Sequence, residues 1–296
     1  MAKIRLLYLI VSLAGLLTAC SGQQLLNMFT PSQGYSLTEN IFFDATTNLK
    51  LDVYTPDGAK NAVTVVFFYG GRWQDGSKDQ YVFVGQALAA SGFVAVLADY
   101  RLYPDVKFPA FLQDTAQTLR WTHENIADYG GAPDKIVVMG HSAGAYNAAM
   151  LALDPQLMQS VGGSRDWIKG MVGLAGPYDF LPLKDADLRD IFAAANPLEI
   201  SQPIAVVDGN NPPLFLLHGQ DDQSVKVKNT INLSAKVRQA GGSVETLIYP
   251  EMSHVWIVAT LAAPLRSQSD VLQRVSEFIR RVTEPATAHA LPPKSG

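Results

Sequence analysis

The 296-residue sequence contains one cysteine, five histidines and no extended run of lysine or arginine. A single cysteine excludes an intrachain disulfide framework. With a formal net charge of −4 and no basic cluster, the chain lacks the electrostatic footprint of a nucleic-acid-binding protein. Its apolar stretch at residues 6–17 is too short for a transmembrane helix. The hydrophobic fraction of 48% is nevertheless ample for a large folded core.

The beginning of the chain has the layout of a secretory signal: basic residues, the apolar stretch, then small residues. Residues 17–20, Leu-Thr-Ala-Cys, resemble a bacterial lipobox. This predicts a signal peptide over 1–19, lipid attachment at Cys20 and a polar linker over 20–36. We therefore expect a lipid-anchored protein of the bacterial cell envelope; the alternative is an ordinary signal peptide with an incidental cysteine.

Strand and helix patterns alternate along the rest of the chain, with two strands at the start. Such alternation predicts an α/β fold with a mostly parallel, eight-stranded sheet and helices on both faces. We place this domain at residues 37–283, with a small cap segment in the proline-rich stretch 176–212 and a flexible tail at 284–296. Eight segments have strand patterns: 41–43, 49–54, 63–69, 93–98, 136–138, 171–175, 214–217 and 244–249.

One motif links a strand to a helix. The β-branched residues 136–138 lead into Gly140-His141-Ser142-Ala143-Gly144, which is followed by small residues typical of a helix start. This is the G-x-S-x-G pattern in the strand–turn–helix context of a nucleophile elbow. Glycine on both sides of Ser142 suits a turn with no room for a Cβ. The motif predicts that Ser142 is a nucleophile.

A nucleophilic serine needs a histidine to take its proton and an acid to hold that histidine. His254 lies in a loop that follows the last strand. The order Ser…Asp…His along the chain is the one used by hydrolases that have a nucleophile elbow. Asp222 is the acid that we favour, with its neighbour Asp221 as the rival. Asp179 is a weaker third candidate.

A tetrahedral intermediate also needs N–H donors aimed at its oxyanion. Ala143, directly after the serine, supplies one. The remaining donors are expected from the loop Tyr69-Gly70-Gly71-Arg72, which follows a buried strand. No cluster with metal-ligand spacing is evident, so no metal or cofactor is expected.

Taken together, these motifs resemble those of the α/β-hydrolase superfamily, specifically carboxylesterases related to hormone-sensitive lipase and isoprenylcysteine methylesterase. The resemblance implies a triad of Ser142, Asp222 and His254, with Gly71, Arg72 and Ala143 as oxyanion donors. The chain departs from the family where Tyr69 replaces the usual histidine and Arg72 replaces a frequent glycine. The matching segments are 69–73, 99–102, 128–135, 140–144, 218–222 and His254.

The expected activity is hydrolysis of small to medium carboxylic esters through an acyl-enzyme intermediate. Two alternatives stay open at the level of sequence. One is an amidase, formamidase or peptidase that uses the same triad; the other is a surface lipoprotein that keeps the fold without catalysis. The expected partners are a small-molecule ester and, through Cys20, a membrane, with no nucleic acid. The sequence leaves the oligomeric state open.

Overall fold

The computed structural model describes residues 22–44 and 46–284. The predicted signal peptide, the lipid-attachment residue Cys20 and the predicted tail beyond residue 284 lie outside this range. The strands are β1 (Tyr35–Asp44), β2 (Leu49–Pro56), β3 (Ala62–Phe68), β4 (Val94–Ala98), β5 (Gly131–His141), β6 (Ile168–Leu174), β7 (Leu214–Gly219) and β8 (Val244–Tyr249).

All eight strands form one sheet in the order β1-β2-β4-β3-β5-β6-β7-β8. β2 is antiparallel to both β1 and β4, and the remaining neighbours are parallel. Every residue of β4 is buried, so this part of the sheet is covered on both faces. The predicted mostly parallel, eight-stranded sheet is confirmed.

From β3 onward, helices lie in the connections between the strands and pack against the sheet. One of them, α4, follows β5 directly, and all of its residues are buried. The helices are α1 (Gly22–Met28), α2 (Val82–Ala90), α3 (Ala110–Asn125), α4 (Ala143–Leu153), α5 (Pro155–Ser160), α6 (Ala186–Ile191), α7 (Lys228–Gln239), α8 (Trp256–Ala259) and α9 (Val271–Thr283). No helix in residues 22–44 or 46–284 is long and apolar enough to cross a bilayer.

Parallel strands deliver the candidate site residues to one edge of the sheet, because their carboxyl ends meet there. β3 ends just before Gly71, and β5 runs directly into Ser142. The loops that follow β7 and β8 carry Asp222 and His254. His218, expected just after a strand, instead lies inside β7.

The segment 176–212, expected as a cap, crosses this edge with α6 and two short 3-10 turns. A hydrogen bond and a ring contact are among the contacts that fasten it to the domain. The Tyr146 hydroxyl donates a hydrogen bond to the carbonyl of Ser201 at 2.7 Å. Phe192 is fully buried, with its ring centroid 5.0 Å from that of Trp73. The segment therefore shares the core of the domain.

The polar linker expected over residues 20–36 needs a correction in its described part, because α1 and the first residues of β1 lie there. Asn27 of α1 donates to the carbonyl of Asp79 at 2.8 Å and accepts the amide of Phe83 at 3.2 Å. Leu26 packs against the core. Leu26 and Asn27 thus help to dock a helix whose composition is otherwise typical of a polar linker.

A buried charge pair supports the segment that follows β3. Lys78 and Asp52 are each 2% exposed, and the Lys78 Nζ lies 2.9 Å from an Asp52 carboxylate oxygen. The amide of Lys78 also donates to the carboxylate of Asp99 at 2.8 Å. This network ties the end of the loop 70–76 to β2 and to the end of β4.

We predict that Lys78→Met lowers the free energy of unfolding by about 3 kcal/mol, because it leaves the Asp52 carboxylate buried without its cation. The double variant Lys78→Met/Asp52→Asn should recover a large part of the loss, since both charges are then gone. Urea unfolding followed by circular dichroism measures all three proteins. A single variant as stable as the wild type would contradict the role assigned to the pair.

Candidate active site

Ser142 stands on a sharp turn between β5 and α4, with φ 55° and ψ −123°. The flanking glycines make this turn sterically possible. A Cβ on Gly140 would lie 2.2 Å from the carbonyl oxygen of Gly144, and a Cβ on Gly144 would lie 2.0 Å from that of Phe68. The amide of Ser142 is fixed by a 2.9 Å hydrogen bond to the carbonyl of Leu174. The hydroxyl is therefore held in a defined position at the edge of the sheet.

His254 connects this serine to an acid. Its Nε2 lies 2.9 Å from the Ser142 Oγ, and its Nδ1 lies 2.7 Å from the Asp222 Oδ2. Because a carboxylate only accepts, Nδ1 carries the proton and Nε2 accepts from the serine hydroxyl. The structure brings together the three residues selected from the sequence as a triad.

Asp222 is buried at the bottom of this arrangement. Its Oδ1 accepts the amides of Ser224 and Val225, both at 2.8 Å. Burial alone raises the pKa of Asp222, but hydrogen bonds from His218, His254 and the Val225 amide outweigh it and hold the pKa below its usual range. The carboxylate therefore stays ionised.

The two rival acids do not reach His254. Asp221 is exposed beside Asp222. Asp179 is occupied elsewhere, since its Oδ2 accepts a 2.6 Å hydrogen bond from Asn232. The geometry therefore favours Asp222.

Sequence reasoning missed a role for His218. Its Nε2 lies 3.2 Å from the Asp222 Oδ2 and 2.8 Å from the carbonyl of Val225. The hydroxyl of Thr230 lies 2.8 Å from the other ring nitrogen. This histidine therefore fixes the acid and its loop. Its place in the motif 218–222, four residues before Asp222, was the signal available.

Sequence reasoning also missed the contact made by His141 of the elbow. Its Nε2 donates a 2.9 Å hydrogen bond to the backbone carbonyl of His254, and its Nδ1 lies 3.4 Å from the Tyr81 hydroxyl. The two histidine ring centroids are 4.8 Å apart. Burial, with a smaller contribution from the nearby His254, lowers the pKa of His141 from 6.5 to about 3. A neutral His141 thus ties the elbow to the loop that carries His254.

The expected oxyanion donors line the same cleft as Ser142. A Cβ on Gly70 would lie 2.9 Å from the Ser142 Cβ, so this loop passes directly over the serine. Gly71 has φ 132°, and Arg72 adopts φ 59°, the left-handed conformation that glycine usually supplies. The amides of Gly71 and Arg72 donate to no acceptor in the described part of the chain. Ala143 begins α4, where amides have no partner within the helix.

The Arg72 side chain joins this loop to the cap segment. Its Nη2 lies 2.6 Å from a carboxylate oxygen of Asp185 and 3.0 Å from one of Asp187. Gln74 of the same loop donates to Asp187 at 2.6 Å. The backbone amide of Arg72 is thus a candidate oxyanion donor, while its side chain binds the cap segment.

The serine opens into a cleft of about 830 Å³. Trp73 and Phe180 form part of its wall, with ring centroids 6.0 Å apart. Trp256, two residues after His254, is 41% exposed. The buried Trp73 is fixed through its Nε1, which donates to Asn147 at 3.1 Å. Such a cleft accepts a small organic molecule against an apolar wall.

Comparison with known proteins gives one family match, the BD-FAE family, over residues 51–237. Among curated relatives, esterase LipQ of Mycobacterium tuberculosis is 31% identical over 248 residues, covering 77% of this chain and 58% of LipQ. Carboxylesterase NlhH of the same organism is 30% identical over 250 residues and 77% of each chain. This chain thus spans little more than half the length of LipQ.

Solved structures agree on the fold. An esterase from Pyrobaculum calidifontis superposes with a TM-score of 0.74 at 20% identity, covering 88% of this chain and 89% of that one. At this identity the similarity concerns the fold alone. It confirms the predicted α/β-hydrolase fold.

We predict that Asp222→Asn slows the reaction of Ser142 with a fluorophosphonate probe by about 10³-fold or more. The new amide places a donor opposite His254 Nδ1–H, which disfavours the tautomer that accepts the serine proton. Asp221→Asn is the matched control and should react within about twofold of the wild type, because Asp221 is exposed and does not contact His254. Equal slowing in both variants would argue against Asp222 as the acid.

A second prediction concerns acid stability. The pKa of His141 is lower in the folded chain than in the unfolded chain, so the unfolded state binds the additional proton as pH falls below about 6.5. Stability is therefore lost on acidification, by up to about 2 kcal/mol between pH 7 and 5 from this group. His141→Gln retains a donor towards the His254 carbonyl but does not titrate.

Urea unfolding of both proteins at pH 7 and 5 tests this prediction. The other ionisable groups are common to both, so the difference between the two pH dependences isolates His141. The wild type should lose more stability than His141→Gln over this interval. Identical losses would show that His141 titrates normally.

Proposed function

The chain belongs to the BD-FAE family, and on that premise we propose that it is a serine carboxylesterase whose catalytic triad is Ser142, His254 and Asp222. The observation that carries the proposal is the continuous pair of hydrogen bonds, 2.9 Å from Ser142 to His254 and 2.7 Å from His254 to Asp222. A buried acid, a histidine and an elbow serine in this order form the constellation that activates a serine hydroxyl.

In the proposed reaction, Ser142 Oγ attacks the ester carbonyl carbon while His254 Nε2 takes the hydroxyl proton. The carbonyl π bond opens to an oxyanion, which the amides of Gly71, Arg72 and Ala143 stabilise. The intermediate collapses by breaking the bond to the alkoxy oxygen, and His254 returns the proton to the departing alcohol. Water then repeats these steps on the acyl-enzyme, which releases the acid and free Ser142.

The surrounding contacts support this division of roles. The ionised Asp222 stabilises the imidazolium that forms on His254. His141 holds the backbone of that histidine and stays neutral, so it adds no positive charge beside the imidazolium. The amides of Gly71 and Arg72 are available because no acceptor in the described chain engages them. Each group acts without large rearrangement, which is the condition for electrostatic preorganisation.

We propose small to medium esters as substrates, because the 830 Å³ cleft is bounded by the cap segment and by the fixed rings of Trp73 and Phe180. The relatives named esterase and carboxylesterase favour an ester over an amide. For residues 1–21, which the structure does not describe, we propose that Cys20 is lipidated after removal of the signal peptide 1–19. The protein would then be anchored in the bacterial cell envelope.

The test is Ser142→Ala against Ser160→Ala, a matched serine exposed at the end of α5. Wild type and Ser160→Ala should hydrolyse p-nitrophenyl acetate and butyrate and should take up a fluorophosphonate probe. Ser142→Ala should lose labelling and about 10⁵-fold or more of the hydrolysis rate, while its circular dichroism spectrum stays unchanged.

p-Nitroanilides and N-formylkynurenine supply the second comparison. Faster turnover of these amides than of the esters would replace the esterase proposal by an amidase or formamidase. If the wild-type protein neither reacts with the fluorophosphonate probe nor hydrolyses any of these substrates, the remaining hypothesis is a lipoprotein without catalytic activity. Labelling that survives in Ser142→Ala would refute the assigned nucleophile.

A further inference from the structure

Exposed apolar side chains concentrate on two segments that each contribute a residue to the cleft lining. Of the nine large apolar residues exposed in the described part of the chain, five belong to α1 and the turn after it, or directly follow His254. They are Leu25, Met28, Phe29, Val255 and Trp256, and Met28 and Phe29 are 72% and 62% exposed. Single exposed apolar residues are ordinary, but a concentration of them marks a contact surface.

Both groups border the same cleft. α1 reaches it through Gln23, and the loop before α8 reaches it through Val255, which is 59% exposed. α1 is fixed to the domain by Asn27 and Leu26 on its inner face. Leu25, Met28 and Phe29 are instead exposed, on a segment that borders the cleft at Gln23.

The chain itself brings a lipid-attachment candidate to this place. Cys20 is two residues before Gly22, the first residue of α1. Two residues span at most about 7 Å, so a lipid on Cys20 enters the bilayer close to the cleft opening. The short stretch between Cys20 and α1 thus limits how far the cleft opening can lie from the membrane surface.

Charge at the opening agrees with an anionic membrane surface. Three exposed lysines line the cleft: Lys184, Lys226 and Lys228. Within the described residues, the ammonium groups of Lys184 and Lys228 have no hydrogen-bond or ion-pair partner. Of the acidic residues in the lining, Asp185 pairs with Arg72, which leaves Asp75. A basic rim on a chain of net charge −4 suits anionic lipid headgroups.

We propose that the cleft opens onto the bilayer, with the five apolar side chains inserted at the headgroup level and the lysines on anionic lipids. The substrate class is then an amphiphilic ester whose hydrocarbon part stays in the membrane while the ester group enters the cleft. This inference rests on the proposed esterase function. It assigns α1 a role as a membrane-docking element, and it places Trp256 where interfacial tryptophans are favoured.

The experiment uses the full-length chain, purified from bacterial membranes and reconstituted in phosphatidylcholine vesicles with and without phosphatidylglycerol. Two esters are compared: p-nitrophenyl acetate in solution and p-nitrophenyl laurate dissolved in the vesicles. The test variant is Leu25→Ser/Met28→Ser/Phe29→Ser. The matched control is Leu37→Ser/Ile200→Ser/Ile231→Ser, which removes three exposed apolar side chains that lie outside α1, the turn after it and the residues that directly follow His254.

The test variant should lose at least about tenfold of the vesicle-ester rate and keep the soluble-ester rate within about twofold. The control should keep both. If the test variant also keeps both rates, the docking proposal is overturned while the esterase function stands. If the wild type hydrolyses neither ester, the esterase function itself fails.

Two further readouts separate the remaining possibilities. Brominated phospholipids should quench wild-type tryptophan fluorescence more strongly than that of Trp256→Phe, and equal quenching would contradict insertion of this side chain. Lys184→Gln/Lys228→Gln should reduce the rate gain from phosphatidylglycerol more than the control Lys236→Gln on α7 does. The wild type could also form a dimer in detergent that the triple variant does not form, while both keep the same vesicle-ester rate. This result would identify the apolar side of α1 as a self-association surface and overturn the proposal.

Discussion

The close approach of α4 to the ends of β3 and β5 is the constraint on which the site depends. No side chain fits between them, because a Cβ on Gly144 would lie 2.0 Å from the carbonyl oxygen of Phe68. This contact forces the chain to turn at Ser142 with a positive φ. The same contact places the loop that follows Phe68 over the serine. The same close packing therefore positions both Ser142 and the candidate oxyanion donors, and the buried sheet around Ser142 holds its strained backbone.

The site holds a buried carboxylate and a buried histidine close together, and each has a protonation state that its surroundings stabilise. Asp222 is ionised because two amides and two histidines stabilise its charge, although burial alone opposes it. His141 resolves the same conflict in the opposite way: burial lowers its pKa and keeps it neutral, although its hydrogen bond to the His254 carbonyl favours the protonated form. Asp222 thus has the charge that its hydrogen bonds support, and His141 has the neutral state that its burial favours. The arrangement leaves His254 as the group between them that contacts both the serine and the acid.

Much of this site was accessible from the sequence because the signals were local or few. The elbow is contiguous, and His254 was chosen because it follows the last predicted strand in the order Ser…Asp…His. The choice between Asp221 and Asp222 needed side-chain direction, which adjacent loop residues do not reveal. The contact between His141 and the His254 carbonyl joins residues 113 positions apart and involves a backbone atom, so no side-chain pattern encodes it. The helix α1 was missed because residues such as Leu26 and Asn27, which dock it, form no recognisable apolar helical pattern.

Ion pairs and aromatic packing both attach the cap, and their magnitudes differ. The ion pairs of Arg72 with Asp185 and Asp187 are largely exposed, and such pairs contribute less than about 1 kcal/mol each. Phe192 is completely buried against Trp73 and Tyr146, and full burial of such a ring contributes about 1.5–3 kcal/mol. The aromatic contact therefore holds the cap in place. The arginine pairs instead set the position of the Gly71–Arg72 loop relative to the cap, because a bidentate guanidinium contact is directional where ring burial is not.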